Sequence, residues 1–128
     1  GLKNINDSVE IMNMLGKEYF ANGYYDLSEK IFLQAVALKP NNHMGYFFLG
    51  NIAALKREYK RAVTYYTMAI LVSKENGEYY YKRAAVYLVL GKYELAMENM
   101  SKSAEKGFYI DDEFKNEIKK LKEKGYKK

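Results

Sequence analysis

His43 is the single histidine of a 128-residue chain that contains no cysteine. One imidazole, with no second histidine and no thiol, completes neither a tetrahedral metal site nor a nucleophile–base pair. It comes after the turn-forming run Pro40-Asn41-Asn42, where a residue opening a helix accounts for it better than a general base does. Carboxylates are interleaved with lysines, as on solvated helix faces, and do not stand out as a catalytic pair. The 9 glycines are scattered, not clustered into a phosphate-cradling loop. The 14 tyrosines offer rings for base stacking, but many fall on periodic helix positions where packing explains them. The side chains therefore predict no enzyme, no metal and no cofactor, and leave recognition as the chemistry to look for.

The net charge of +5 raises nucleic acid as a partner. Residues 1–118 balance fifteen basic against fifteen acidic side chains, while the last ten, "KKLKEKGYKK", hold six lysines and one glutamate. The excess belongs to a terminal tail, so a basic face on the folded body is not required and nucleic acid is not the expected partner. No apolar run reaches the ~20 residues of a membrane-spanning helix. The lack of cysteine suits a reducing, cytoplasmic compartment without establishing one. The chain opens at Gly1 without an initiator methionine, which leaves a processed or excised piece open.

The elements that must position any recognition surface are visible as a repeat. Tyr25, Tyr59 and Tyr93 recur at 34-residue intervals, each succeeded three residues later by Ser28, Ala62 or Ala96. In blocks 9–42, 43–76 and 77–110, position 8 reads Gly16, Gly50, Ala84 and position 7 reads Leu15, Leu49, Arg83. Position 24 reads Phe32, Tyr66, Met100, and position 27 reads Ala35, Ala69, Ser103. Small residues at positions 8 and 20 let two helices cross closely, and the large ones fill the space around the crossing. Asn22-Gly23, Lys56-Arg57-Glu58 and Leu90-Gly91 mark the turn inside each block. The recurring tyrosines then open the second helix of each hairpin. Asp7 with Glu10 reads as a capping-box start for the first helix.

These features resemble the tetratricopeptide repeat family, whose 34-residue helix–turn–helix carries L-G-x-x-Y, A-x-x-x-F and P. The first block, "LGKEYFANGYYDLSEKIFLQAVALKP", carries the pattern most fully. The second lacks the proline, and the third has "RA" in place of "LG". The resemblance implies an all-α, right-handed solenoid: lead-in 1–8, repeats 9–42, 43–76 and 77–110, then 111–128 as a capping helix with a basic tail. In that last segment Phe114, Ile118 and Leu121 form one apolar stripe, suited to covering the end of a stack.

In this family the first helices line a concave groove through positions 2, 5, 6, 9, 12 and 13. Carried onto this sequence, the resemblance implies a peptide-binding set of Asn13, Met14, Lys17, Phe47, Phe48, Asn51, Leu55, Tyr81, Lys82 and Leu88. It is apolar and aromatic in the middle with a few polar points, suited to a protein or peptide segment with apolar anchors. Phe48→Asp is expected to remove partner capture and leave helicity intact. The two-carboxylate clamp that some family members use on chaperone tails is not reproduced. Its places hold Asn13, Lys17, Phe48, Glu78 and Lys82, and Glu78 would repel a carboxylate. The chain also resembles the class II chaperones of type III secretion in its "YFFLG" run and three-block body. The expectation is a non-enzymatic interaction scaffold, with such a chaperone and a basic-tail nucleic-acid-associated protein as alternatives. Self-association through the apolar groove stays open.

Overall fold

The computed structural model describes residues 4–108 and 111–124, which form seven α-helices and no strand. They fall into two compact units, divided after Val72. Residues 1–3, 109–110 and 125–128 lie outside the described set, and with them part of the lead-in, the end of the third block and the end of the basic tail.

The first unit holds α1 (Ile5–Ala21), α2 (Tyr25–Leu38), α3 (His43–Leu55) and α4 (Tyr59–Val72). Helices α1 and α2 pair, α3 and α4 pair, and α2 also packs on α3. Tyr25 and Tyr59 are the first residues of α2 and α4, as the 34-residue period predicts. The start of α1 differs from expectation. Asn4 is the N-cap, its side chain accepting from the Asp7 backbone N–H at 2.9 Å. This cap satisfies a free amide three residues earlier than Asp7 could, so Asp7 falls in the first turn, where its charge complements the helix dipole.

Close crossing explains the small residues. A Cβ on Gly16 would come within 2.7 Å of the Phe32 ring, and one on Gly50 within 2.6 Å of the Tyr66 ring. The freed space lets Phe32 and Tyr66 bury completely. Ser28 is small enough for the same crossing and donates its hydroxyl to the Gly16 carbonyl at 2.8 Å, so its polarity costs little in a buried site. The Phe32 ring of α2 stacks on Phe48 of α3 at 5.1 Å, nearly parallel, tying the first hairpin to the second.

The second unit holds α5 (Gly77–Val89), α6 (Tyr93–Glu105) and α7 (Asp112–Glu123). Helices α5 and α6 repeat the hairpin, with Tyr93 opening α6 and Ser103 donating to the Gly77 carbonyl at 2.7 Å. Arg83 stands where the first two blocks have leucine, and its surroundings account for the change. Its Nε donates to the buried Asn99 at 2.8 Å, and its guanidinium lies 5.8 and 6.0 Å from the Tyr80 and Tyr87 ring centres. Burial draws its pKa below the usual arginine value, an effect the two tyrosines partly oppose. Helix α7 is capped by Asp111, which accepts from the Glu113 N–H at 2.8 Å. It packs on α6 and buries Ile118 completely against Ala84, Ala96 and Met100.

Candidate functional site: the α1–α3 face

Helical spacing places Met14 and Lys17 on one stripe of α1, and Phe48, Asn51 and Leu55 on one stripe of α3. The stripes meet through an edge-to-face contact of Phe20 with Phe48, ring centres 5.4 Å apart. Phe48 is thus half-buried, with Phe32 behind it and Phe20 beside it. Met14 is 66% exposed and Leu55 53%, so neither side chain is engaged in the core.

The polar groups of this face are partly committed. Tyr66, from the core of the α3–α4 hairpin, donates its hydroxyl to Asn51 Oδ1 and so fixes the orientation of that carboxamide. Asn13 and Asn42 exchange two side-chain hydrogen bonds of 3.1 and 2.9 Å, locking the middle of α1 to the turn before α3. Lys17 is exposed and forms no ion pair among the described residues. Helix α3 has no acidic residue, and Lys56 after it is held by Asp26 at 2.8 Å and Glu29 at 3.1 Å. Those carboxylates raise the Lys56 pKa, while Lys56 lowers that of Asp26. His43 opens α3; burial, and then Lys39, lower its pKa below 6.5.

Three members of the sequence-derived set are placed differently from expectation. Phe47 is only 7% exposed and packs its ring against Tyr66, so it belongs to the core. Tyr81 in the second unit packs against Phe108 at 5.3 Å and Phe114 at 5.4 Å, which leaves it half-covered by the chain beyond α6. Leu88 packs against the cluster around Ala84, Met100 and Ile118. Lys82 is also on α5 in that unit and half-buried. Met14, Lys17, Phe48, Asn51 and Leu55 gather on the first unit, with Asn13 contributing through its pairing to Asn42. Phe48→Asp would place a carboxylate among three rings, so that substitution tests the fold as much as the surface.

One residue of this region has no counterpart among the sequence-derived positions. Arg57, two residues beyond Leu55, is the single described non-glycine residue with a positive φ, at 62°. A signal was present: Gly23 and Gly91 occupy the same repeat position in the other two blocks.

Residues 9–42 match the profile of a family described as Tetratricopeptide repeat. That stretch of the chain is a tetratricopeptide repeat. The Arabidopsis thaliana Hsp70-Hsp90 organizing protein 3 is 41% identical to the chain over 76 residues, 59% of this chain and 14% of that protein. The human DnaJ homolog subfamily C member 7 is 35% identical over 65 residues, 51% of this chain and 12% of that protein. The chain thus spans about one-seventh of the length of the organizing protein it matches. Among solved structures, the first such domain of Spaghetti (RPAP3), bound to the HSP90 peptide SRMEEVD, superposes with a TM-score of 0.80 at 19% identity, covering 90% of each chain. The Yersinia enterocolitica type III secretion chaperone SycD, in complex with a peptide of the translocator YopD, gives 0.77 at 16% identity, covering 90% of this chain and 89% of that one. These likenesses establish the all-helical repeat fold.

Proposed function

We propose that this repeat protein is a non-enzymatic interaction module whose α1–α3 face binds a short segment of a partner protein through apolar anchors. The observation that carries this reading is the exposure of Met14 on α1 and Leu55 on α3, two helices joined by the Phe20–Phe48 ring contact, with Phe48 also stacked on the buried Phe32. Such a face offers flexible aliphatic contacts over a rigid aromatic floor, the composition of a peptide-binding hot spot. Lys17 and the fixed Asn51 carboxamide supply polar points for orientation. The two similar domains whose peptides are known support the class of ligand. They do not supply its identity.

The segment is not expected to be an acidic chaperone tail held by its terminal carboxylate, because the clamp places hold Asn13, Lys17, Phe48, Glu78 and Lys82. Glu78 brings a negative charge where the clamp needs a cation. Binding of a labelled peptide selected from a random displayed library tests the reading. A Met14→Asp, Leu55→Asp variant should keep its helical content and melting temperature while losing at least tenfold in affinity. The peptide SRMEEVD should bind no better than its scrambled sequence. Undiminished binding by a folded double variant would refute the site, and specific binding of SRMEEVD would refute the ligand class.

A further inference from the structure

Each hairpin turn closes in the same way. The residue after the C-cap adopts positive φ, and the next backbone N–H returns to a carbonyl five residues before it: Tyr24 to Tyr19 at 2.9 Å, Glu58 to Ala53 at 2.8 Å, Lys92 to Tyr87 at 2.9 Å. The positive-φ residue is Gly23 in the first block, Arg57 in the second and Gly91 in the third. Glycine is the residue this closure favours, because any Cβ at such φ crowds the backbone. Space plays no part: a Cβ at Gly23 or Gly91 would meet nothing within 4 Å. Arg57 therefore carries a backbone strain that a glycine would remove at no steric loss. A cation near a helix C-terminus is favourable, but Lys56 already supplies one a residue earlier and is neutralised there by Asp26 and Glu29. Arg57 is exposed and forms no ion pair among the described residues, while the neighbouring Glu58 lies 3.7 Å from Arg61.

We infer that Arg57 is a recognition residue, which receives an acidic side chain of the partner segment next to the apolar residue seated at Leu55. The inference rests on the α1–α3 face being the binding surface, and it sharpens the ligand to an aliphatic or aromatic anchor with an Asp or Glu close to it in sequence. Charge supports that occupant: α3 carries no acid, and Lys17 on α1 and Arg57, two residues after Leu55, are exposed cations with no ion pair among the described residues. A guanidinium gives a carboxylate two parallel hydrogen bonds, a reason to retain arginine in an unfavourable backbone position.

The strain gives the test a distinctive signature, since one substitution should stabilise the protein and weaken its binding. A random dodecapeptide library is selected on the wild-type chain, and the best binder is synthesised with its acids and with the matching amides. Arg57→Gly should raise the melting temperature by about 3–5 °C. It should also weaken binding of the acidic peptide by about fivefold to tenfold. The amide peptide should lose as much on wild type, and the two changes together should cost no more than either alone. Equal binding by Arg57→Gly, independent losses in the cycle, or a lowered melting temperature would each overturn the inference. Selection of no peptide, or of peptides still bound by the Met14→Asp, Leu55→Asp variant, would remove the α1–α3 reading and this inference with it. That failure is recognisable because it appears before Arg57 is changed.

Discussion

Helices α3 and α5 hold the same place in successive repeats, yet they present different surfaces. On α3, Phe48, Asn51 and Leu55 rise from half-buried to 53% exposed along one stripe. On α5, Tyr81 is flanked by Phe108 and Phe114, and Leu88 is drawn into the cluster that Ile118 completes. The difference comes from the segment that covers α5. Beyond α6 an amphipathic helix is available to lie over the hairpin, and its Ile118 is fully buried there. A repeat position therefore defines a direction on a helix, while availability for binding depends on the neighbouring elements. The cover on α5 is confined to the stretch around Tyr81 and Leu88, since Val89, the repeat counterpart of Leu55, is 59% exposed.

Removing the cover from α5 should have the largest effect. Ile118→Asp forces a charge into a fully buried apolar site and should destabilise the second unit by about 4 kcal/mol or more, read by urea denaturation. The Tyr81 ring should then become accessible to a fluorescence quencher. A loss below about 1 kcal/mol would mean that α7 does not hold the cover.

Next in size is the contrast within α3 itself. Phe48→Ala, which removes the stack on Phe32 and the edge contact with Phe20, should cost about 2–3 kcal/mol. Leu55→Ala, at the open end of the same stripe, should stay within about 0.5 kcal/mol. Equal losses at the two positions would erase the distinction between aromatic floor and exposed anchor site.

The smallest effect concerns the start of α3. Burial lowers the folded-state pKa of His43 below 6.5, so the unfolded chain binds the proton more readily. The stability this contributes is fully present above that pH and declines as pH falls through 6.5 toward the folded-state value. Between about pH 7.5 and 5.5 the wild-type melting temperature should drop about 1–2 °C more than that of His43→Gln. Parallel declines would show that His43 is not the group responsible.

The same contrast shows which parts of the molecule could be read from sequence. The starts of α2, α4 and α6 at Tyr25, Tyr59 and Tyr93 were legible because close helix crossing demands a small residue at a fixed offset, and three copies keep it in phase. The roles of Phe47 and Phe48 were not. Adjacent residues on a helix differ by ~100° in direction, and family positions assign both to the groove; only Tyr66 behind one and Phe20 beside the other separate them. The packing of Tyr81 and Leu88 was not legible, because Phe108, Phe114 and Ile118 belong to a segment whose docking no periodicity of α5 could reveal. Asn4 was overlooked as a cap because Asp7 with Glu10 made a plausible one three residues later. Met14, Lys17 and Leu55 were legible as surface positions, and their accessibility is what the structure adds.

The most direct test of binding at the α1–α3 face maps amide chemical-shift changes as a library-selected peptide is titrated into the isotopically labelled chain. The largest changes should fall on Met14, Lys17, Phe48, Asn51 and Leu55, extend to Arg57, and leave α7 unmoved. Changes centred instead on α5 and α7, or on the lysines of the C-terminal helix, would contradict the assignment of binding to the α1–α3 face.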